Sequence, residues 1–252
     1  MSCRAEAVEF WNTEIGRWVE GDDRLHPDLE RWRAAYAGRG DGAVDLSVFP
    51  EPYIGPLRSE HIPALVMLGL NPGAAAPQFQ GIDGIYTERI RQSSYGEWAA
   101  GGPYSDAVWE SANGRNRYHQ NRLTFARRLH QDASIQASDL LYVELYPFHS
   151  KRVTGPIAPP PDLLTRFILD PIAELEVPFV FAFGKPWLAA ATILGLGEGR
   201  PVPVDWATPS RDARSYPLTD HQSLIVVTQH GYAGPPGATD TEALVAAIGD
   251  VH

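Results

Sequence analysis

Residues 64–73 read Ala-Leu-Val-Met-Leu-Gly-Leu-Asn-Pro-Gly, an apolar run that breaks at once into a turn. The run ALVML has the length and character of one buried strand. Gly69, Pro72 and Gly73 then end any strand and force a tight turn. One polar side chain, Asn71, is left at the mouth of that turn. In open α/β sheets ligands bind just beyond the carboxyl ends of strands, so Asn71 stands where such a fold places its chemistry. Asn-Pro is also a common turn pair, which would give Asn71 a purely structural role.

Three more apolar runs have the same form. DLLYVEL at 139–145 breaks at Pro147, FVFAF at 179–183 breaks at Gly184-Lys185-Pro186, and LIVVT at 224–228 runs into Gln229-His230-Gly231-Tyr232. Helical patterns over 117–131, 159–173, 187–194 and 239–248 separate or follow them. Strands alternating with helices predict a three-layer α/β/α sandwich with a mostly parallel, four-stranded sheet. GLGEG at 195–199 follows a helix and is therefore no dinucleotide fingerprint. Residues 202–223 read as an irregular, proline-containing connection.

Upstream, Val8, Trp11, Ile15 and Trp18 recur at helical spacing within 6–20, and Leu29, Trp32 and Tyr36 within 28–37. Residues 1–48 are thus expected to be a helical elaboration on a core spanning 64–252, all within one domain, 1–252. Simple core packing accounts for the tryptophans. Residues 74–112 are rich in glycine, serine and aromatics, including Phe79, Tyr86, Tyr95, Trp98, Tyr104 and Trp109. That aromatic content argues against disorder. The segment reads either as a lid or pocket wall beside Asn71, with Phe79 and Tyr86 facing a ligand, or as an insertion covering part of the sheet.

The chain has 252 residues, is 44% hydrophobic and carries a net charge of −10, enough for a sizeable core. One cysteine, Cys3, excludes a disulfide framework and a four-cysteine zinc or iron–sulfur site within the chain. No apolar run approaches the roughly 20 residues of a membrane span. The start of the chain has no signal-peptide pattern, so a cytoplasmic location, no membrane partner, no cofactor and no metal are expected. The acidic balance argues against a non-specific nucleic-acid coat but leaves room for a local basic face. Residues 113–130 carry five arginines and no acidic residue, either a DNA-backbone contact or a solvated helix face.

Polar groups therefore close three strands: Asn71, Glu144 and His230. With these residues in view the chain resembles the uracil-DNA glycosylase superfamily. GLNPG at 69–73 is similar to the first motif of its mismatch-specific and single-strand-selective branches. VVTQHG at 226–231 resembles its second motif, YVELYPF at 142–148 falls at its base-reading strand, and FAFGKPW at 181–187 matches the strand before its penultimate helix. The resemblance runs from residue 64 to the C-terminus, and GLNPG is its specific part. It implies a monofunctional DNA glycosylase, expected to act as a monomer, that flips its target nucleotide into a pocket. Asn71 would orient water toward C1′ and His230 would stabilise the departing base. Gly69, Leu70, Pro72, Gly73 and Phe148 would contact the base, and Gly231 and Tyr232 would enter the duplex. Arg115, Arg117, Lys151 and Arg152 would hold phosphates.

Three departures from that pattern matter. The second motif continues His230-Gly231-Tyr232 where the family has His-Pro-Ser, and the segment after GLNPG is long. Glu144 stands where the family commonly places an Asn. A carboxylate only accepts, which suits the exocyclic amine of a cytosine and repels the O4 of uracil. Glu144 could instead be a strand-end residue paired with Lys151 or Arg152. The expected substrate is a modified pyrimidine, tilted toward a bulky cytosine derivative such as the glucosylated hydroxymethylcytosine of phage DNA. The alternatives are an ordinary uracil glycosylase and a catalytically silent nucleic-acid-binding module. A serine hydrolase has little support without a Gly-x-Ser-x-Gly elbow.

Overall fold

The structure is a computed structural model that describes residues 2–58 and 61–249. It is an α/β protein built on one seven-stranded mixed sheet. In chain order the strands are β1 Tyr53–Ile54, β2 Leu65–Gly69, β3 Leu140–Glu144, β4 Phe179–Phe183, β5 Arg200–Pro201, β6 Asp212–Pro217 and β7 Ser223–Thr228. They lie side by side in the order β1-β3-β2-β4-β7-β6-β5.

The four strands expected from apolar runs form the centre, β3-β2-β4-β7, and all pair in parallel. Parallel strands covered on both faces have no solvent side, which is why they read as unbroken apolar runs. Every residue of β2 and β3 is buried. The expected four-stranded sheet is nevertheless too small. The antiparallel strand β1 extends one edge by pairing with β3, and the β6–β5 pair extends the other, with β6 pairing along β7 from Asp212↔Thr228 to Pro217↔Ser223. Strand β6 lies in the stretch read as irregular. Its sequence DARSYP shows two buried side chains, Ala213 and Tyr216, among polar ones. Charges and proline are common where a strand lies near a sheet edge, and they mask the strand pattern.

Helix Arg117–Leu129 packs its Phe125 ring against Phe181 and Phe183 of β4, at 5.3 and 5.6 Å. It also contacts the closing helix Ala238–Gly249. The N-terminal helices, Cys3–Val19 and Pro27–Ala34, are built into the main core. Trp32 stacks on Phe167, Trp11 packs tilted against both, and the Trp32 indole donates to the Leu145 carbonyl at 3.0 Å. Phe167 lies in a π-helical turn, Thr165–Leu169, within an otherwise α-helical run from Pro161 to Ala173. The aromatic segment after the Asn turn is mostly helical, with α-helices Pro77–Gln80, Ile85–Gln92, Tyr95–Ala100 and Ala107–Asn113. Two of these pack on Cys3–Val19. No helix of the described residues is long and apolar enough to cross a membrane.

Candidate functional site

The chain leaves β2, passes to β3 on one side, and returns to place β4 on the other side of β2. Between β2 and β4 the connections therefore diverge, and such switch points open a crevice at the carboxyl ends of the strands. A cleft of about 650 Å³ lies there, lined by Leu70 and Asn71, Gly184–Pro186, residues 229–233, Tyr118 and the 152–155 segment.

The turn after β2 is pinned from three directions. The Gly69 carbonyl accepts from the Trp187 indole at 2.9 Å and the Leu145 amide at 3.2 Å, and the Leu70 carbonyl accepts from the Tyr146 amide at 3.0 Å. Asn71 itself is buried. Its Nδ2 donates to the carbonyl and the hydroxyl of Ser150, at 2.9 and 3.0 Å. Both contacts use the amide nitrogen, which fixes the side chain with Oδ1 as the remaining acceptor. Among the described residues nothing donates to that oxygen, and Asn71 lines the cleft.

The opposite wall is the turn after β7. Gln229 bridges to Tyr232, and Gly231 takes φ +70°, so His230 and Gly231 form an exposed tip. His230 makes no side-chain hydrogen bond among the described residues, and it lines the cleft. Tyr232 is 42% exposed, and its hydroxyl reaches the Pro235 carbonyl at 3.4 Å. The base of this turn is held from the edge of the sheet. Arg211 pairs through one nitrogen with Asp240 and donates through another to the Gln229 side chain. Asp240 also accepts from Thr208 Oγ1 at 2.6 Å and the Ala207 amide at 2.7 Å, and these bonds hold its carboxyl below the usual range against burial. Gly184 closes the crevice tightly: it takes φ +104°, and a Cβ there would press on Ala233.

Beneath the turn lies Glu144, 5% exposed. Its Oε1 accepts from the Tyr118 hydroxyl at 2.6 Å, while Oε2 is buried without a partner. The carboxylate and that hydroxyl sit on the Cα of Gly69, where any Cβ would collide with them. This is the local reason for glycine at the head of GLNPG. Burial pushes the Glu144 carboxyl up, opposed by Arg122 and the Tyr118 hydroxyl. The Arg122 guanidinium stacks on the Tyr118 ring at 3.3 Å. The expected alternative, Glu144 paired with Lys151 or Arg152, is not what the structure has. Both cations lie instead on Asp41, at 3.3 and 3.8 Å.

A second buried polar cluster backs the site. Gln80 Nε2 donates to Glu51 at 3.1 Å and approaches Tyr104 Oη at 2.7 Å and His149 Nε2 at 3.3 Å. The Tyr104 hydroxyl donates to Glu51. Burial pushes Glu51 up to about 8, with the Glu144 charge adding to it. Burial pulls His149 down to about 4 and His119, stacked on Tyr104 at 4.6 Å, down to about 3. His149 immediately precedes Ser150, so this cluster braces the residue that holds Asn71.

Of the residues expected at the site, Leu70, Asn71, Arg152, His230, Gly231 and Tyr232 line the cleft together. Gly69 and Glu144 lie just beneath it. Pro72 and Gly73 are half-buried beyond its rim. Phe79, Tyr86 and Phe148 are in the interior and do not line it, and Phe79 and Tyr86 pack on Trp109 in the aromatic cluster. Arg115 and Arg117 are exposed on either side of Asn116, the N-cap of the helix Arg117–Leu129. Tyr118, Ser150, Arg211 and Asp240 were not foreseen. Tyr118 lies within the arginine-rich segment and Ser150 three residues after Pro147, whereas nothing in the sequence links Arg211 to Asp240. Among the described residues no three His, Cys, Asp or Glu side chains converge to hold a metal ion. Comparison with protein-family models, curated proteins and solved structures finds no match.

Proposed function

We propose that the chain is a monofunctional DNA glycosylase that flips a modified pyrimidine nucleotide into the switch-point cleft and hydrolyses its glycosidic bond, leaving an abasic site. The observation that carries this reading is the fixed amide of Asn71. With Nδ2 committed to Ser150, Oδ1 is left as the acceptor of a side chain that lines the cleft. An acceptor held in this way can orient one water for attack on C1′, and fixed geometry of this kind costs nothing to organise at the moment of reaction. No covalent intermediate with the protein is required.

His230 lies on the facing wall, where an imidazole N–H can stabilise charge on the departing base. Tyr232, at the same tip, is suited to fill the space that the flipped nucleotide leaves. The cleft volume falls within the roughly 300–1,000 Å³ usual for small-molecule sites. Among pyrimidines Glu144 favours a cytosine-type base, whose edge offers it an amine where uracil and thymine offer O4. A bulky derivative such as glucosylated hydroxymethylcytosine is the substrate proposed first, with uracil second.

The test is mass spectrometry of free bases released from DNAs of different composition, modified phage genomes included, with alkali-labile sites scored in parallel. Release of one base by the wild-type protein, lost in Asn71→Ala, is the expected result. Binding to DNA without release of any base would leave a nucleic-acid-binding module in place of the enzyme.

A further inference from the structure

Behind Tyr118 the protein buries polar atoms that it does not satisfy. Glu144 Oε2 has no hydrogen-bond partner, and neither have Nε and Nη2 of Arg122, a side chain only 2% exposed. Arg122 makes one hydrogen bond, from Nη1 to the Tyr118 carbonyl at 3.3 Å, and no ion pair within 4.0 Å among the described residues. Unpaired charged groups in the interior are costly. Here an acceptor and a pair of donors stand close enough that the Arg122 charge acts on the Glu144 carboxyl. The half-buried Tyr118, which holds Glu144 through its hydroxyl and carries Arg122 on its ring, itself lines the cleft where a ligand would enter.

We propose that Tyr118 is a side-chain gate, its hydroxyl occupying on Glu144 the place that the exocyclic amine of a cytosine-type base takes when Tyr118 turns away. This rests on reading the cleft as a nucleotide site. The chemistry of the recess selects the class of base. A cytosine edge presents the N4 amine as donor beside N3 and O2 as acceptors, which meets a carboxylate beside a guanidinium. A uracil edge presents O4 to the carboxylate and is repelled. The Tyr118 hydroxyl is a one-donor stand-in for the amine at 2.6 Å. It keeps Glu144 from being wholly unpaired in the empty protein, so that displacement by the correct base exchanges one hydrogen bond for another and adds those of Arg122. A base without the amine would expose Glu144 with no donor in return, so it leaves the gate closed and binds outside the recess, and the gate discriminates by what its opening would leave unpaired.

The gate is read by binding, independently of base release. Two short single-stranded oligonucleotides carry one sugar-fluorinated, hydrolysis-resistant cytidine or uridine, and their affinities are measured by fluorescence anisotropy with the melting temperature of each variant alongside. Wild-type protein should prefer the cytidine oligonucleotide. Tyr118→Phe, which keeps the ring and removes the stand-in donor, should raise that preference by roughly tenfold through tighter cytidine binding. Tyr118→Leu, a second route to the same loss, should move it in the same direction, and Glu144→Gln should abolish it. A cytidine-to-uridine ratio that stays constant across these variants, with only the melting temperature changing, overturns the gate and leaves the nucleotide reading of the cleft standing. Failure of the wild-type protein to bind either oligonucleotide overturns both.

Discussion

The side-chain nitrogen of Asn71 is held twice by Ser150, through its carbonyl at 2.9 Å and its hydroxyl at 3.0 Å. A residue that the sequence places at a turn thereby becomes an acceptor of fixed orientation at the mouth of a cleft. The Ser150 hydroxyl is in turn placed by a bond to the Arg152 carbonyl at 3.3 Å.

Asn71→Ala should keep the fold and DNA binding and lose base release by about 10²–10³-fold, the usual cost of removing a positioned polar group at a reaction centre. Ser150→Ala removes one of the two anchors and leaves the carbonyl, so a smaller loss is expected, about tenfold, with substrate affinity unchanged. Single-turnover kinetics separate the two effects. Full activity in Asn71→Ala would remove Asn71 from the chemistry.

Gly69→Ala should be disproportionately damaging for so small a change. The added methyl would fall on the Glu144 carboxylate and the Tyr118 hydroxyl, and overpacking of this kind typically costs about 1–3 kcal/mol. The combined variant Gly69→Ala, Glu144→Ala makes room and should recover part of that loss in a thermal melt. An absence of recovery would show that the strain lies elsewhere.

The buried ionisable groups predict a stability maximum near the ordinary histidine pKa, about 6.5. Glu51, raised to about 8, holds its proton longer in the folded state, so its contribution is full below the unfolded carboxyl range and is lost as pH rises through about 8. His149 and His119, lowered to about 4 and about 3, contribute stability above their unfolded pKa that is lost as pH falls through those values. Between the unfolded carboxyl and histidine values the two histidines match or outweigh the two raised carboxyls, Glu51 and Glu144, so stability does not fall as pH rises. Above the histidine value the raised carboxyls are unopposed by the histidines and stability falls. Melting temperatures across pH should show this peak, and Glu51→Gln should flatten its alkaline side. An unchanged alkaline limb would mean that Glu51 is not the group being titrated.

Arg115 and Arg117 are exposed with no ion pair among the described residues, whereas Lys151 and Arg152 share Asp41. Neutralising Arg115 and Arg117 to Gln should weaken DNA binding and lower the slope of log affinity against log salt by roughly 0.7–0.9 per lost phosphate contact. Asp41→Asn, which frees two cations, should tighten binding and steepen that slope. Unchanged slopes in both variants would place DNA on another face.

The centre of the sheet was legible in the amino-acid sequence. A parallel strand covered on both faces must be apolar along its whole length, so β2, β3, β4 and β7 were legible as unbroken runs, and glycines and prolines marked where each one stops. For the same reason Asn71 and His230 could be found as polar groups just beyond strand ends. The remaining features depend on contacts distant in the chain. The strand β6 is polar because it lies toward the sheet edge, and the β7 backbone beside it defines it as a strand. Glu144 could be read from the sequence as facing a cation two turns on or a ligand, and only folding brings Tyr118 to its oxygen across 26 positions. Arg211 and Asp240 meet across 29 positions to steady the His230 turn. Periodicity reports burial along one element, whereas these pairs arise from the order in which the strands are laid side by side, and that order is settled by packing the whole core at once.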